Sequence, residues 1–318
     1  MLSHIVRGFR FGSVLSLILL AAGWAAPAMA EVKLEHKFVE GRKTVTHTTL
    51  KTKQTLTLMG MGLETESDRF VISTSQAGKR NADGNLPIEQ KVDKLTVNVK
   101  LPGGLSLTFD SDDPNKAAEN PALEPFLKGL RVSVKAKPIF IRDMSGKVIT
   151  VEGLDKVAED LPEELRGDVN PEQAKKTANQ ELGNLPEKPV KVGDTWTKTS
   201  DLPLGGGQIM TVTTEYTYMG EVKEGGKSLE KIEAKATAVV LSVTADAKAM
   251  KVDKSDLKPT ESFETILFDR DAGQAQSTKG KVRIQGDIDL KLTINGMEIA
   301  FPGSKLDLTI EVETVRQP

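Results

Sequence analysis

The side chains that most often carry chemistry are sparse in this chain. Of three histidines in 318 residues only His36 and His47 lie beyond the first thirty, and there is no cysteine. Thiol nucleophiles, thiolate zinc sites, disulfides and a lipidated cysteine anchor are therefore excluded. No His-x-x-His or His-Glu-x-x-His spacing occurs, so a zinc-hydrolase site has to be assembled from distant residues. Val32, Leu34, His36 and Phe38 alternate, which predicts a strand with His36 on its apolar face, a partly buried imidazole rather than a ligand. Asp110, Asp112, Asp113 and Asn115 crowd the exit of a strand, and hard cations favour such oxygen clusters. The glycine and late bidentate glutamate of a helical calcium loop are missing, however, and a solvated acidic turn ahead of Pro114 accounts for the cluster.

Other patterns fail on context. Gly205-Gly206-Gly207 lacks the lysine and the strand–loop–helix setting of a phosphate or dinucleotide loop, and no Gly-x-Ser-x-Gly elbow is present. Asp194-Thr195 is followed by Trp196, not by the glycine of the aspartic-protease triplet, and Asp269-Arg270-Asp271 before Gly273 reads as hairpin chemistry. Forty-five acidic residues spread along the chain single out no glycosidase pair. The sequence thus predicts a protein that is not an enzyme, with no catalytic, cofactor-binding or metal-binding residues and no cofactor.

Charge excludes a further class. The chain holds 43 Lys+Arg against 45 Asp+Glu; Arg7 and Arg10 fall within the first thirty residues, which contain no acid, leaving 41 against 45. A nucleic-acid binder needs a basic excess on one surface, so no nucleic-acid partner is expected. Arg7 and Arg10 precede an apolar run from Val14 to Ala22, and Ala28-Met29-Ala30 closes the segment before charged residues begin. This is the layout of a signal peptide cleaved after Ala30, which predicts export to a periplasm or the exterior. No later stretch reaches the roughly 20 apolar residues of a membrane-spanning helix.

The remaining chain must hold such residues on strands. Leu95, Val97, Val99 and Leu101 alternate with polar neighbours, and after Pro102-Gly103-Gly104 the pattern resumes at Leu105, Leu107 and Phe109, a hairpin with one apolar face. Val282, Ile284, Ile288, Leu290, Leu292 and Ile294 share a face with Gly286, which predicts a bulge or bend there; Asn295-Gly296 is a turn signal, and Leu306, Leu308, Ile310 and Val312 continue the alternation. The threonine-rich region from Leu34 to Ile72 predicts strand, hairpin, strand, and further strands are expected at Met210 to Tyr218, Ile232 to Val243 and Phe263 to Phe268. Helices are expected at Pro171 to Leu182, where Asn170 caps and Gly183 stops, and more briefly at Pro121 to Leu130 and Leu154 to Leu165. Ile139 to Gly146 can be laid on Ile266 to Gly273, read either as a duplication or as reuse of hairpin chemistry.

Pro189-Val190-Lys191-Val192-Gly193-Asp194-Thr195-Trp196 and Phe38-Val39-Glu40-Gly41, with the Asp143/Gly146 and Asp269/Gly273 turns, resemble an uncharacterised family of exported bacterial β-rich proteins known only as a domain of unknown function. That resemblance transfers no catalytic residue. At fold level the chain is also similar to periplasmic lipoprotein carriers, whose curved sheet holds acyl chains under a helical plug. The expected architecture is mainly β (α+β): long antiparallel strands in a strongly curved sheet or half-barrel with a few central helices. Beyond a signal peptide at 1–30, residues 31–318 are expected to form a single β-rich domain, with two sub-halves, 31–165 and 185–318, joined by the helix at 171–182.

Strands this long, with aliphatic inner faces, need cover or leave a groove, and the helices are too few for full cover. The function expected is a non-enzymatic binding or carrier-type protein with an apolar concave surface, its partner a lipid or other apolar small molecule. A structural envelope component that binds nothing is the alternative. An outer-membrane barrel is disfavoured by two Trp and two Tyr in the whole chain, too few for interfacial girdles.

Overall fold

The computed structural model describes residues 31–166, 169–205, 207–243, 250–294 and 297–317. The expected signal peptide, Gly206 of the glycine triplet and the Asn295-Gly296 turn lie outside the described residues.

The period-two segments become strands. They are β1 (Lys43–Leu58), β2 (Met61–Ala77), β3 (Leu86–Lys100), β4 (Ser106–Asp110), β5 (Ile139–Arg142) and β6 (Val148–Glu152). After the helices follow β7 (Thr195–Gly205), β8 (Gln208–Glu224), β9 (Lys227–Val243), β10 (Met250–Asp269), β11 (Gln274–Ile294) and β12 (Met297–Gln317). All pair antiparallel in one sheet of order β6-β5-β3-β2-β1-β12-β11-β10-β9-β8-β7, with β4 added to β3. The strands of 31–165 and 185–318 thus belong to one sheet, sewn together by β1 and β12 from Val45↔Gln317 to Thr57↔Lys305.

The sheet is open between β6 and β7, and it is curved. Met210 and Val212 of β8 line the same groove as Ile310 and Val312 of β12, four strands away. Four strand spacings amount to about 19 Å in a flat sheet, more than a small groove spans, so the sheet must roll about its inner face. Registers fix that face. Leu306, Leu308, Ile310, Val312, Thr314 and Arg316 point inward from β12, paired through β1 at Leu56, Gln54, Thr52, Leu50, Thr48 and Thr46. At one end the inner face packs on itself, in a core of Leu58, Met210, Leu241, Ile284, Ile288 and Leu308.

Helices cover other parts of this face. α1 (Glu124–Lys135) brings Leu127 against Leu95, Val97, Leu107 and Phe109 of β3 and β4. It begins and ends later than expected from sequence, because Pro121–Leu123 forms a separate 3-10 turn capped by the Asn120 side chain. α2 (Leu154–Asp160) and α3 (Glu163–Arg166) replace the interrupted helix, divided at Pro162, which cannot donate a helical hydrogen bond. α4 (Pro171–Leu182) begins and ends where the sequence placed it: the Asn170 side chain accepts from the N–H groups of Glu172 and Gln173.

Two expectations need correction. Residues 33–42 are not the start of a strand; only Val32 makes an isolated bridge, to Val190. Alternation over four residues is too short a signal when side chains are buried by docking onto a sheet rather than by pairing within it. Gly286 is not a bulge either. Its pairing with Leu257 and Leu306 is in register, and shifts fall instead at Val252/Lys254, Pro259/Glu261, Leu267/Phe268 and Ile288/Leu290. A glycine is needed because a Cβ there would collide with the carbonyl oxygen of Asp256.

Candidate functional site

The segment after Val32 runs across one end of the curved sheet, and the short motifs hold it there. Lys37 N–H donates to the Gly273 carbonyl at 3.0 Å, and the Phe38 ring lies on Gly146. Both glycines have positive φ, 64° and 86°, and at each a Cβ would strike this segment. Both turns have the same internal chemistry: Asp143 Oδ1 accepts from the N–H of Ser145 and Lys147, and Asp269 Oδ1 from that of Ala272. Val190 exchanges two backbone hydrogen bonds with Val32, at 2.8 and 2.9 Å, and Asp194 Oδ2 accepts from Lys191 N–H to tighten that loop. The four motifs singled out in the sequence therefore build one structure, a strap clamped by two equivalent turns.

Beneath the strap lies a cavity of about 240 Å³, bounded by β1, β2, β3, β5, the start of β11, the end of β12 and α4. Among the described residues Arg42, Arg142, Arg316 and Lys37 line it, against one carboxylate, Glu181. Arg42 Nη1 donates to the carbonyls of Lys37 and Ala272, at 3.0 and 2.8 Å. Arg142 Nη1 donates to Gly146 O at 2.7 Å, and its guanidinium sits 4.4 Å over the Phe38 ring, a cation–π contact. Among the described residues its Nε is buried without a hydrogen-bond partner, and so are Nε and Nη1 of Arg316. Burial lowers the pKa of Arg142, opposed by Glu181, and lowers that of Arg316, reinforced by Arg42. Burial raises the pKa of Glu181, with Arg142 acting against it.

His36 also lines the cavity, stacked near Phe38 at 6.3 Å and edge-on to Phe268 at 5.9 Å. Burial, then the charges of Arg142 and Arg316, bring its pKa down to about 4, so the ring is neutral at pH 7. The expected partly buried imidazole is present, although on a strap and not a strand. Its Nε2 is buried with no hydrogen-bond partner among the described residues.

Further along the inner face the chemistry changes. Thr46, Thr48 and Thr314 follow Arg316, and Thr48 Oγ1 lies 3.3 Å from Thr314 Oγ1. Beyond them an apolar groove of about 170 Å³ runs between Met210 and Val212 on one wall and Val282, Ile284, Ile310 and Val312 on the other. Glu264 borders it, its pKa raised by burial.

The remaining sequence candidates lie elsewhere. His47 points outward from β1, edge-on to Phe70 at 6.0 Å. Asp112 pairs with Lys94, and its N–H donates to Asp110 Oδ1 in a turn. Among the described residues no group of three or more His, Cys, Asp or Glu is placed to hold a metal ion. Arg270 pairs with Glu230 at 3.2 Å, and Tyr218 O–H donates to the same carboxylate at 2.6 Å, so this buried acid is fully partnered. Sequence reasoning passed over Arg42, Arg142, Arg316 and Glu181. One signal was available for Arg316, which continues the inward parity of Leu306 through Thr314 and so puts a cation on the apolar side of the alternation.

Residues 83–295 match the family described as "Family of unknown function (DUF6263)". The chain belongs to that family. No curated protein matches this DUF6263 sequence. Solved structures similar to it include lipovitellin, described for its lipid–protein interactions, at 10% identity and TM-score 0.44, covering 89% of this chain and 26% of that one. The DUF6263 chain thus spans about a quarter of the lipovitellin chain. An outer membrane channel from Pseudomonas putida F1 aligns at 8% identity and TM-score 0.24, over 91% of this chain and 100% of that one. A DUF1329 family protein from Desulfovibrio piger aligns at 8% identity and TM-score 0.13, over 84% and 83%. All three TM-scores lie below 0.5, and the likenesses carry no argument about what this DUF6263 protein does. Among the described residues no helix is long and apolar enough to cross a membrane.

Proposed function

We propose that this protein is an exported, non-enzymatic binding or carrier protein that holds an apolar small molecule on the inner face of its curved sheet. The observation that carries the reading is the groove between Met210 and Val212 of β8 and Ile310 and Val312 of β12. Among the described residues α1 packs on β3 and α4 on β6 and β7, while the groove itself is lined by strand residues alone. A concave apolar strip with few polar groups is where a small apolar ligand gains most from leaving water. Export rests on the layout of residues 1–30, and the absence of catalytic chemistry on the failure of every motif considered. A mass-spectrometric inventory of small molecules retained by protein purified from its native envelope tests the proposal. A stoichiometric aliphatic species supports it; protein that is folded and repeatedly free of any such molecule speaks against it.

The self-packed core of Leu58, Met210, Leu241, Ile284 and Leu308 favours a second reading, in which the sheet is a closed structural element of the envelope. On that reading the groove is an unfilled seam, and no apolar probe binds at saturable stoichiometry.

A further inference from the structure

We infer that the arginine-lined cavity is the head-group end of the same binding surface, and that the ligand is an amphiphile with an anionic head, carboxylate or phosphate, on an aliphatic tail. This rests on the carrier reading and adds the chemistry of the ligand to it. Arg42, Arg142 and Arg316 face the cavity with Glu181 as the one carboxylate, while His36 is neutral. Arg270, outside the cavity, shows the ordinary solution for a cation beside buried groups, an ion pair with Glu230. Inside it, Nε of Arg142 and Nε and Nη1 of Arg316 are buried with no hydrogen-bond partner among the described residues. Buried donors of this kind are satisfied in nearly every protein, and an orphaned guanidinium is especially unfavourable. An oxyanion supplies two or three acceptors and a compensating charge, and the planar guanidinium matches it in bidentate fashion.

The inner face then grades in one direction. Arg316, Thr314, Val312 and Ile310 are successive inward residues of β12, with no register shift against β1. Val312, at the near end of the apolar groove, lies four residues and about 13 Å along the strand from Arg316, and Ile310 about 20 Å, so the guanidinium end and the groove are separated by the length of a medium aliphatic chain. The threonines between them present methyl groups and hydroxyls, a surface compatible with both ends. Cation, hydroxyl and aliphatic zones laid along one strand face match the polarity of a fatty acid or an alkyl phosphate from head to tail.

The test compares laurate, dodecyl phosphate and dodecanol, which share a tail length, by isothermal titration of the purified protein below their aggregation concentrations. At least one anionic amphiphile is expected to bind about tenfold tighter than dodecanol, the factor that one charge-assisted hydrogen bond supplies. Arg142→Gln and Arg316→Gln, made separately, should each lower the ratio of anionic to dodecanol affinity toward one, with melting curves of both variants showing that the fold is intact. Whichever of carboxylate and phosphate binds better identifies the head. Equal binding of all three probes, or a preference that survives in both variants, overturns the head-group assignment and leaves the carrier reading standing. If none of the three binds a cooperatively folding protein, both readings fall.

Discussion

The side-chain amide of Asn179 pairs with the main chain of Val148 as another strand would: Oδ1 accepts from Val148 N–H at 2.8 Å and Nδ2 donates to Val148 O at 3.0 Å. Val148 lies on β6, one open edge of the sheet. The next residue, Gln180, accepts at 3.3 Å from Asp201 N–H on β7, the other edge, where Lys176 also pairs with the Asp201 carboxylate at 2.6 Å. Two adjacent side chains of α4 thus occupy hydrogen-bonding positions on both free edges. Unpaired edges invite association with other chains, and this helix blocks them.

Removing the pairing at Val148 leaves a buried N–H and C=O without partners. Asn179→Leu should lower unfolding stability by about 1–3 kcal/mol. Lys176→Ala, which removes a largely exposed ion pair, should change it by under about 1 kcal/mol. Chemical denaturation of both variants, with hydrogen exchange at the Val148 amide, reads the difference. Equal midpoints for the two would show that the amide pairing is dispensable.

Facing along β12 gives a sharper contrast. Leu308 is 4% exposed in the self-packed core, while Thr309 faces outward across from Arg283 and Lys53. Leu308→Asp buries an unpaired charge and should cost more than about 3 kcal/mol, whereas Thr309→Asp should stay within about 0.5 kcal/mol of the parent. Similar thermal shifts for these neighbours would contradict the assignment of inner and outer faces.

These strands were legible in sequence because each carries the same signal over many residues. Leu306 to Val312 and Val282 to Ile294 alternate with little interruption, and one buried face imposes that pattern. Asn170-Pro171 and Gly183 marked α4 for a similarly local reason. The strap was not legible, because Val32, Leu34, His36 and Phe38 alternate as a strand would, yet docking onto the sheet and not strand pairing covers them. Nor was the cavity: Arg42, Arg142 and Arg316 are 100 and 174 residues apart in the chain and meet only through the pairing of β1 with β12 and the return of β5 to β3. The motif glycines were noticed as family markers, but their reason, room for Phe38 and Lys37 at Gly146 and Gly273, exists only in three dimensions.

Trp196 stacks on Tyr216 with ring centroids 5.5 Å apart and planes 9° from parallel, and its Nε1–H donates to Asn184 O at 2.8 Å. An indole held this way has a fixed, partly apolar environment. Its emission should be blue-shifted relative to the unfolded protein and poorly quenched by iodide, and Trp196→Ala should destabilise by about 3 kcal/mol or more. Ready quenching in the folded state would place the ring at the surface instead.

His36 links the strap to pH. Its folded pKa of about 4 lies below the usual 6.5, so between these values the unfolded chain binds a proton that the folded one does not. The neutral ring's contribution is complete above pH 6.5 and is lost as pH falls toward 4, by on the order of 3 kcal/mol at most. Glu181 and Glu264, whose pKa values burial raises, act in the opposite direction, so the informative quantity is the difference between parent and His36→Phe. Stability of the parent should fall relative to that variant between pH 6.5 and 4. Parallel curves would mean that His36 titrates in the fold as it does in the open chain.

The central claim, that the inner face of β8 to β12 holds an apolar molecule, is tested most directly by titrating the folded protein with an aliphatic fluorescent probe while recording its thermal transition. The account predicts saturable one-to-one binding and a melting temperature that rises with probe, reaching about 2.7 kcal/mol of added stability at a hundred times Kd. Val282→Trp, which fills the groove between β8 and β12, should abolish both. Absence of saturable binding to a cooperatively folding protein, or binding that Val282→Trp leaves untouched, would contradict it.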